Sequence, residues 1–126
     1  MTALGAMAPI NGYGLCRQPV TVYHEDGGAV TRTVFPQAYL EYERAGETGR
    51  TGSTGTSGFL LVVPGCEPAC QVGDKVMAGE GPEVPDEGQA AWWRALIPSK
   101  VPGLAVVRRV APRYWNGEMV HTEAGG

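Results

Sequence analysis

The sequence predicts an all-β, mainly antiparallel fold: a small β-barrel or sandwich with at most one short helix and a long flexible loop. Three observations lead to this prediction. The chain of 126 residues contains 19 glycines and 10 prolines, which favour many short strands joined by turns over long helices. Its composition, 43% hydrophobic and 18% charged, is typical of a globular domain, and its length suits a single core. From residue 19 onward, β-branched and aromatic residues recur in short segments bounded by turn residues.

The first 18 residues differ from the rest. Residues 1–18 show no period and contain three glycines and a proline, so we predict an extended N-terminal arm, which either packs on a neighbouring subunit or frays. Residues 19–126 are predicted to form a single β-barrel domain. The start of the chain lacks a basic leader and no apolar run approaches membrane-spanning length, so we expect cytoplasmic synthesis, reduced thiols and no membrane partner.

A β-hairpin is predicted near the beginning of this domain. Residues 20–24 and 29–35 are rich in β-branched and aromatic side chains, and the Glu-Asp-Gly-Gly sequence at 25–28 supplies the turn. After Pro36, residues 37–44 alternate in polarity and predict a half-buried strand, although two helical turns are an alternative.

A long loop is predicted at about residues 45–58. Glycine, serine and threonine dominate there, and such residues cannot bury apolar surface. The loop is either a surface excursion or a segment that orders when subunits assemble. Its candidate assembly residues are Gly46, Gly49, Arg50, Gly52, Gly55 and Gly58.

The second half of the chain carries further strand and turn signals. Residues 59–63 are continuously apolar and predict a central buried strand, and a Gly-Asp turn feeds a strand within 72–78. Residues 92–97 predict one short helical turn and residues 104–109 a strand. Residues 114–119 predict a hairpin, because Asn-Gly at its tip suits a type I′ turn.

No catalytic, cofactor-binding or metal-binding residues are predicted. Cys66 and Cys70 lack the second pair of closely spaced ligands that a structural zinc site needs, since Cys16, His24 and His121 are scattered along the chain. Neither histidine lies in a motif that pairs a nucleophile with a base. We therefore expect a protein that is not an enzyme and has no cofactor.

Aromatic residues concentrate in two places and predict anchors of either the core or a subunit interface. These residues are Trp92, Trp93, Tyr114 and Trp115. Stacking of single-stranded nucleic acid would require a basic groove around such groups. The net charge is −3 and the pI about 5.3, and one basic cluster occurs, at Arg108, Arg109 and Arg113.

Over roughly residues 19–124, the chain resembles a known family. The N-terminal VTVYHEDGGAVTRTVF hairpin, the Val-Gly-Asp-Lys-Val turn and the terminal Tyr-Trp-Asn-Gly-Glu hairpin look like those of the minor capsid or head-closure (stopper) proteins of long-tailed bacteriophages. The glycines that recur at every third position from Gly46 to Gly58 and the length of the N-terminal arm depart from the family pattern.

The resemblance implies a homo-oligomeric ring in the neck of the virion, assembled in the host cytoplasm. The ring would join the portal and adaptor proteins above to the tail terminator or tail proteins below, and DNA would pass through its lumen without specific binding. The family has no catalytic residues, and its assembly loop would correspond to residues 46–58. The alternatives are a tail terminator or tail-tube protein, a free nucleic-acid-binding barrel and, last, an enzyme.

Overall fold

The computed structural model describes residues 13–42 and 58–126. The described chain is mainly antiparallel β-strand with one short helix, as the sequence predicts. A 3-10 turn, Tyr13–Leu15, precedes the first strand. The elements that follow are β1 (Gln18–Asp26), β2 (Ala29–Tyr42), β3 (Phe59–Pro64), β4 (Lys75–Ala78), α1 (Gln89–Ala95), β5 (Ala105–Val106), β6 (Arg109–Trp115) and β7 (Glu118–Gly125).

The strands form a curled, half-barrel sheet in the order β5-β4-β1-β2-β3-β7-β6. The two edge strands, β5 and β6, are separated in the chain by Val107 and Arg108 alone. The Val107 N–H donates to the Asp74 carbonyl oxygen (2.9 Å), and the Arg108 N–H donates to the Gly125 carbonyl oxygen (2.8 Å). This short link is therefore hydrogen-bonded to both sides of the half-barrel.

The predicted strand after Pro36 is part of β2, which continues through the proline. Val20 lies opposite Phe35, whereas Gln18 lies opposite Ala38, so β2 has an extra residue at this point and forms a β-bulge. A bulge tolerates Pro36 because proline has no N–H to give to the ladder. Beyond the bulge β2 leaves β1 and pairs with β3, which rules out the helical alternative.

The main core fills the concave side of the sheet. Phe59, Leu61 and Val63 alternate inward from β3, but Leu60 between them is 39% exposed. The prediction of a central strand is thus confirmed, while its burial is confined to one face. The other buried members of this core are Val20, Val22, Ala38, Leu40, Cys70, Val76, Val107 and Ala124.

Strand β1 is buried on both faces, because a second cluster covers its convex side. Tyr23 is fully buried there among Val30, Leu96 and Leu104, with Trp92 packed against them. The Tyr23 hydroxyl donates to the Pro82 carbonyl oxygen (2.7 Å), and its ring meets Trp92 edge-on at 5.5 Å between centroids. The predicted helical turn is α1 (Gln89–Ala95), and its Trp92 and Trp93 side chains pack against this cluster.

The C-terminal hairpin is confirmed, and its turn residues have the predicted conformation. Asn116 and Gly117 have φ values of 55° and 83°, as a type I′ turn requires. The predicted continuous strand over residues 104–109 is wrong. It divides into β5 and β6 because the chain changes partner at residues 107–108, from β4 to β7.

Candidate assembly surface

Residues 114–118, which we call the hairpin tip, carry the most conspicuous exposed aromatic surface of the described chain. The Tyr114 and Trp115 residues are 63% and 71% exposed, respectively. A register shift between Arg113 and Tyr114 precedes them, so the aromatic pair follows an irregularity in the ladder. Because they are consecutive residues of β6, their side chains project from opposite faces of the ribbon, and large aromatic side chains exposed in this way are typical of interaction surfaces.

A concave surface, which we call the end cleft, lies where β2 ends and β3 begins. Its volume is about 830 Å³, which is within the range of roughly 300–1,000 Å³ found for binding pockets. Its walls are largely apolar, with one cationic side chain, and include Tyr42, Phe59, Pro98, Leu104, Val106 and Arg108. The Tyr42 hydroxyl donates to the Gly103 carbonyl oxygen and joins two sides of the cleft.

The hairpin tip and the end cleft lie at opposite ends of the β6–β7 ribbon. Arg108 lines the cleft and Trp115 ends β6. These two residues are seven positions apart in the chain, which corresponds to roughly 23 Å of extended strand. One copy of the chain therefore carries a convex aromatic end and a concave apolar end that cannot reach each other.

A charged cluster occupies the outer face of the same ribbon. The Glu123 carboxylate accepts from the Arg113 guanidinium at 3.1 Å and lies 3.0 Å from the His121 Nε2 atom. The pKa of Glu123 is lowered most by its hydrogen bond with His121 and next by its hydrogen bond with Arg113. Arg113 thus has an acidic partner, which reduces the positive charge of the basic cluster at Arg108, Arg109 and Arg113.

A buried aspartate fixes the turn before β4 to the end of β1. Asp74 is 3% exposed, and its Oδ1 atom lies 2.6 Å from the His24 Nδ1 atom. The Asp74 Oδ2 atom accepts a hydrogen bond from the Gln71 N–H at 2.8 Å. The hydrogen bond to Asp74 raises the pKa of His24. Sequence reasoning found no motif around His24 and missed this partner, which lies 50 residues away.

Trp92 and Trp93 pack against the second core cluster, whereas Tyr114 and Trp115 are exposed. The Lys75 ammonium donates to the Trp93 carbonyl oxygen at 2.7 Å and lies 4.0 Å from the centre of the Trp93 ring. Burial lowers the pKa of Lys75. The sequence did not single out Lys75, because its role depends on a helix 14 residues farther along the chain. Tyr114 and Trp115 are exposed and so are not part of the described core; their prediction as interface anchors stays a prediction.

Most of the predicted assembly loop lies outside the described residues. This applies to Gly46, Gly49, Arg50, Gly52 and Gly55, and also to residues 1–12 of the predicted arm. The last residue of that set, Gly58, is described; it is half-buried and directly precedes β3.

The three cysteines are free thiols: Cys66 is exposed, while Cys16 and Cys70 are buried. Burial raises the pKa of Cys70 to about 11, so it is protonated at neutral pH. Residues 13–42 and 58–126 contain no group of three possible metal ligands. In the same ranges, no helix has the length and apolar character needed to cross a membrane.

Comparisons of the chain with protein-family models, with curated proteins and with solved structures found no match. The hairpin tip and the end cleft are therefore the features from which a function can be inferred. Both are suited to binding a macromolecule: the tip offers rigid aromatic side chains, and the cleft offers an apolar wall with one cation at its side.

Proposed function

We propose that this chain is a structural protein of a bacteriophage neck, a head-closure ring that joins the portal–adaptor complex to the tail and lets the genome pass. The observation that carries this proposal is the pair of exposed aromatic residues, Tyr114 and Trp115, at the tip of a small half-barrel. Aromatic side chains with this degree of exposure are the anchors that subunit contacts use. In this role the chain has no catalytic residues and no cofactor.

The charge of the chain supports the same function. A net charge of −3 disfavours tight binding to phosphates, so a ring of such chains can let DNA slide through its lumen. The loop residues from Arg44 to Gly58 are assigned to the lumen or to the adaptor contact. Trp92 and Trp93 are assigned to the stability of each subunit rather than to its contacts.

The first test is the copy number of this chain in purified particles of the phage that encodes it. Quantitative mass spectrometry against the portal subunit measures this number directly, and a major capsid peptide serves as the internal standard. Half to one copy per portal subunit is the expected result, because a neck position holds one ring.

Other copy numbers separate the alternatives. A large multiple of the portal count would replace the head-closure assignment with a tail-tube protein or a capsid decoration. A single ring that remains with purified tails after heads and tails are separated would indicate a tail terminator. Absence from particles would overturn the structural function altogether.

A nucleic-acid-binding module is the second candidate, because cations and aromatic residues share one strand. Arg109 and Arg113 are exposed on β6, and Tyr114 and Trp115 follow them. Successive bases can stack on such aromatic rings while cations contact the phosphates. The ion pair of Arg113 with Glu123 and the net charge of −3 weigh against this function.

Fluorescence anisotropy with a labelled single-stranded oligonucleotide distinguishes this candidate. The module would bind more weakly as salt increases, and replacing Arg108, Arg109 and Arg113 by glutamine would abolish binding. The matched control is Arg94→Gln, which removes an exposed arginine from α1. For a head-closure protein we expect no measurable binding at physiological salt in any of these proteins.

A further inference from the structure

We propose that the hairpin tip of one copy docks into the end cleft of the next copy, so that the chain assembles head to tail. This inference deepens the proposed function, on which it rests, by naming the two surfaces that form the ring contact. Tyr114 and Trp115 are the inserted groups, and the apolar walls around Phe59 and Leu104 receive them.

The size and chemistry of the two surfaces match. The cleft of about 830 Å³ is large enough for two aromatic side chains, since pockets of roughly 300–1,000 Å³ bury most of a drug-sized ligand. Tyr114 and Trp115 keep little rotational freedom, so they lose little entropy when they insert. Tyr42 and Pro98 in the cleft wall offer flat apolar faces for them.

The charges at the two surfaces are opposite. Glu118 is exposed at the hairpin tip, directly across the ladder from Trp115. Arg108 is exposed and lines the cleft. When the aromatic pair enters the cleft, the Glu118 carboxylate approaches the Arg108 guanidinium, and this attraction fixes which way the hairpin enters.

The positions of the two surfaces decide the type of assembly. Because the tip and the cleft lie at opposite ends of the β6–β7 ribbon, roughly 23 Å apart along the strand, a copy cannot fill its own cleft. The contact therefore uses different surfaces on the two partners. Repetition of such a contact produces a closed ring when the rotation closes, and a filament when it does not.

The test measures self-association by sedimentation velocity over a range of protein concentrations. The tip variant is Tyr114→Ala with Trp115→Ala, and the cleft variant is Ser99→Trp, which fills the cleft from an exposed position. We expect the wild type to assemble and each variant to associate at least about thirtyfold more weakly. The control is Leu15→Ala, which removes a 71% exposed apolar side chain elsewhere and is expected to assemble like the wild type. Circular dichroism verifies that all variants are folded.

A mixing experiment tests the head-to-tail geometry itself. The tip variant keeps an intact cleft and the cleft variant keeps an intact tip, so an equal mixture is expected to form a dimer and nothing larger. Charge reversal gives a second readout. Glu118→Arg and Arg108→Glu are each expected to weaken association, and the double variant is expected to recover most of it.

Four results would overturn the head-to-tail contact. Three of them are a wild type that stays monomeric at every concentration, a tip variant that assembles normally, and a mixture that forms no dimer. If only the cleft variant assembles normally, the cleft is occupied by another group, such as the chain's own segment 43–57, and the proposal also fails. The copy number in particles is independent of these results, so failure of the contact can be distinguished from failure of the neck function.

Discussion

Thr21 shows how a single buried side chain can attach a loop to one face of this sheet. Its side chain is fully buried, yet its hydroxyl both donates and accepts a hydrogen bond. It donates to the Gly79 carbonyl oxygen at 2.7 Å and accepts from the Gly81 N–H at 2.9 Å. These two bonds attach the segment after β4 to β1, and a buried polar group satisfied in this way adds to stability.

Replacing Thr21 by valine is expected to lower the free energy of unfolding by about 1–3 kcal/mol, because it leaves the Gly81 N–H and the Gly79 carbonyl without this partner. Urea unfolding at neutral pH measures the change. Thr31→Val, an exposed position on the same hairpin, is the matched control and is expected to change stability little. Equal effects of the two substitutions would contradict the role assigned to the Thr21 hydroxyl.

The ion pair of His24 with Asp74 predicts a pH dependence of stability. The hydrogen bond of His24 to Asp74, together with the nearby Asp26 and Glu25 carboxylates, raises the pKa of His24 in the folded protein. The stabilisation of the folded state by this ion pair is therefore fully present below the unfolded pKa of about 6.5 and is lost as the pH rises through the higher folded pKa. The His24 side chain is 37% exposed, so we expect at most about 1 kcal/mol.

The measurement compares wild type with His24→Gln by urea unfolding at several pH values from about 5.5 to 9, a range that spans the unfolded pKa and the pH above it. The wild type is expected to be the more stable of the two proteins at the lowest pH. The difference between their free energies of unfolding is expected to shrink as the pH rises. A difference that grows with pH would show that the ion pair does not stabilise the folded state.

Among the elements, the C-terminal hairpin depends most directly on its turn. Gly117 has a φ of 83°, and a Cβ atom added there would meet no other atom within 4 Å, so only backbone conformation restricts the residue there. Gly117→Ala is expected to lower the free energy of unfolding by about 1 kcal/mol, because a side chain is unfavourable in the left-handed region. Thermal unfolding measures the loss. The control is Gly14→Ala, because a Cβ atom there also meets open space but no positive φ is required. This substitution is expected to leave the free energy of unfolding unchanged.

Both hairpins could be predicted because their turns are encoded locally. Gly27 and Gly28 join β1 to β2, and Asn116 and Gly117 join β6 to β7, all with positive φ. The continuation of β2 through Pro36 and the break at residues 107–108 could not be predicted. Each depends on which strand lies alongside, and those partners come from distant parts of the chain.

The candidate surface was only partly visible in the sequence for the same reason. Trp92 and Trp93 look like Tyr114 and Trp115 when composition alone is considered. The fold separates them: the first pair packs beside Tyr23 and Lys75, and the second is exposed. The end cleft had no sequence signal, since its walls come together from β2, β3 and the segment around β5.

At the scale of the whole molecule, β1 couples the two clusters. Val20 and Val22 point into the main core, while Tyr23 belongs to the cluster under α1. A strand shared in this way cannot leave one cluster without disturbing the other. We therefore expect a single cooperative unfolding transition of the described fold.

Leu61→Ala tests this coupling from the far side of the core. Leu61 is fully buried, so the substitution is expected to lower the free energy of unfolding by about 2–5 kcal/mol. Far-ultraviolet and near-ultraviolet circular dichroism are expected to report the same lowered midpoint. Leu60→Ala, the neighbouring position that is 39% exposed, is the matched control with a smaller effect. Two separate transitions in the variant would contradict the coupling.

The place of β7 in the sheet affects how the protein can be made. This strand is the last of the described strands in sequence order, yet it lies between β3 and β6, and Leu60 is paired with Gly125. While the ribosome is still translating residues 118–125, β3 has an unpaired edge and β6 lacks its ladder partner. We therefore expect the nascent chain to acquire protease resistance only after these residues have left the exit tunnel, and to fold slowly because its decisive contact joins distant parts of the chain.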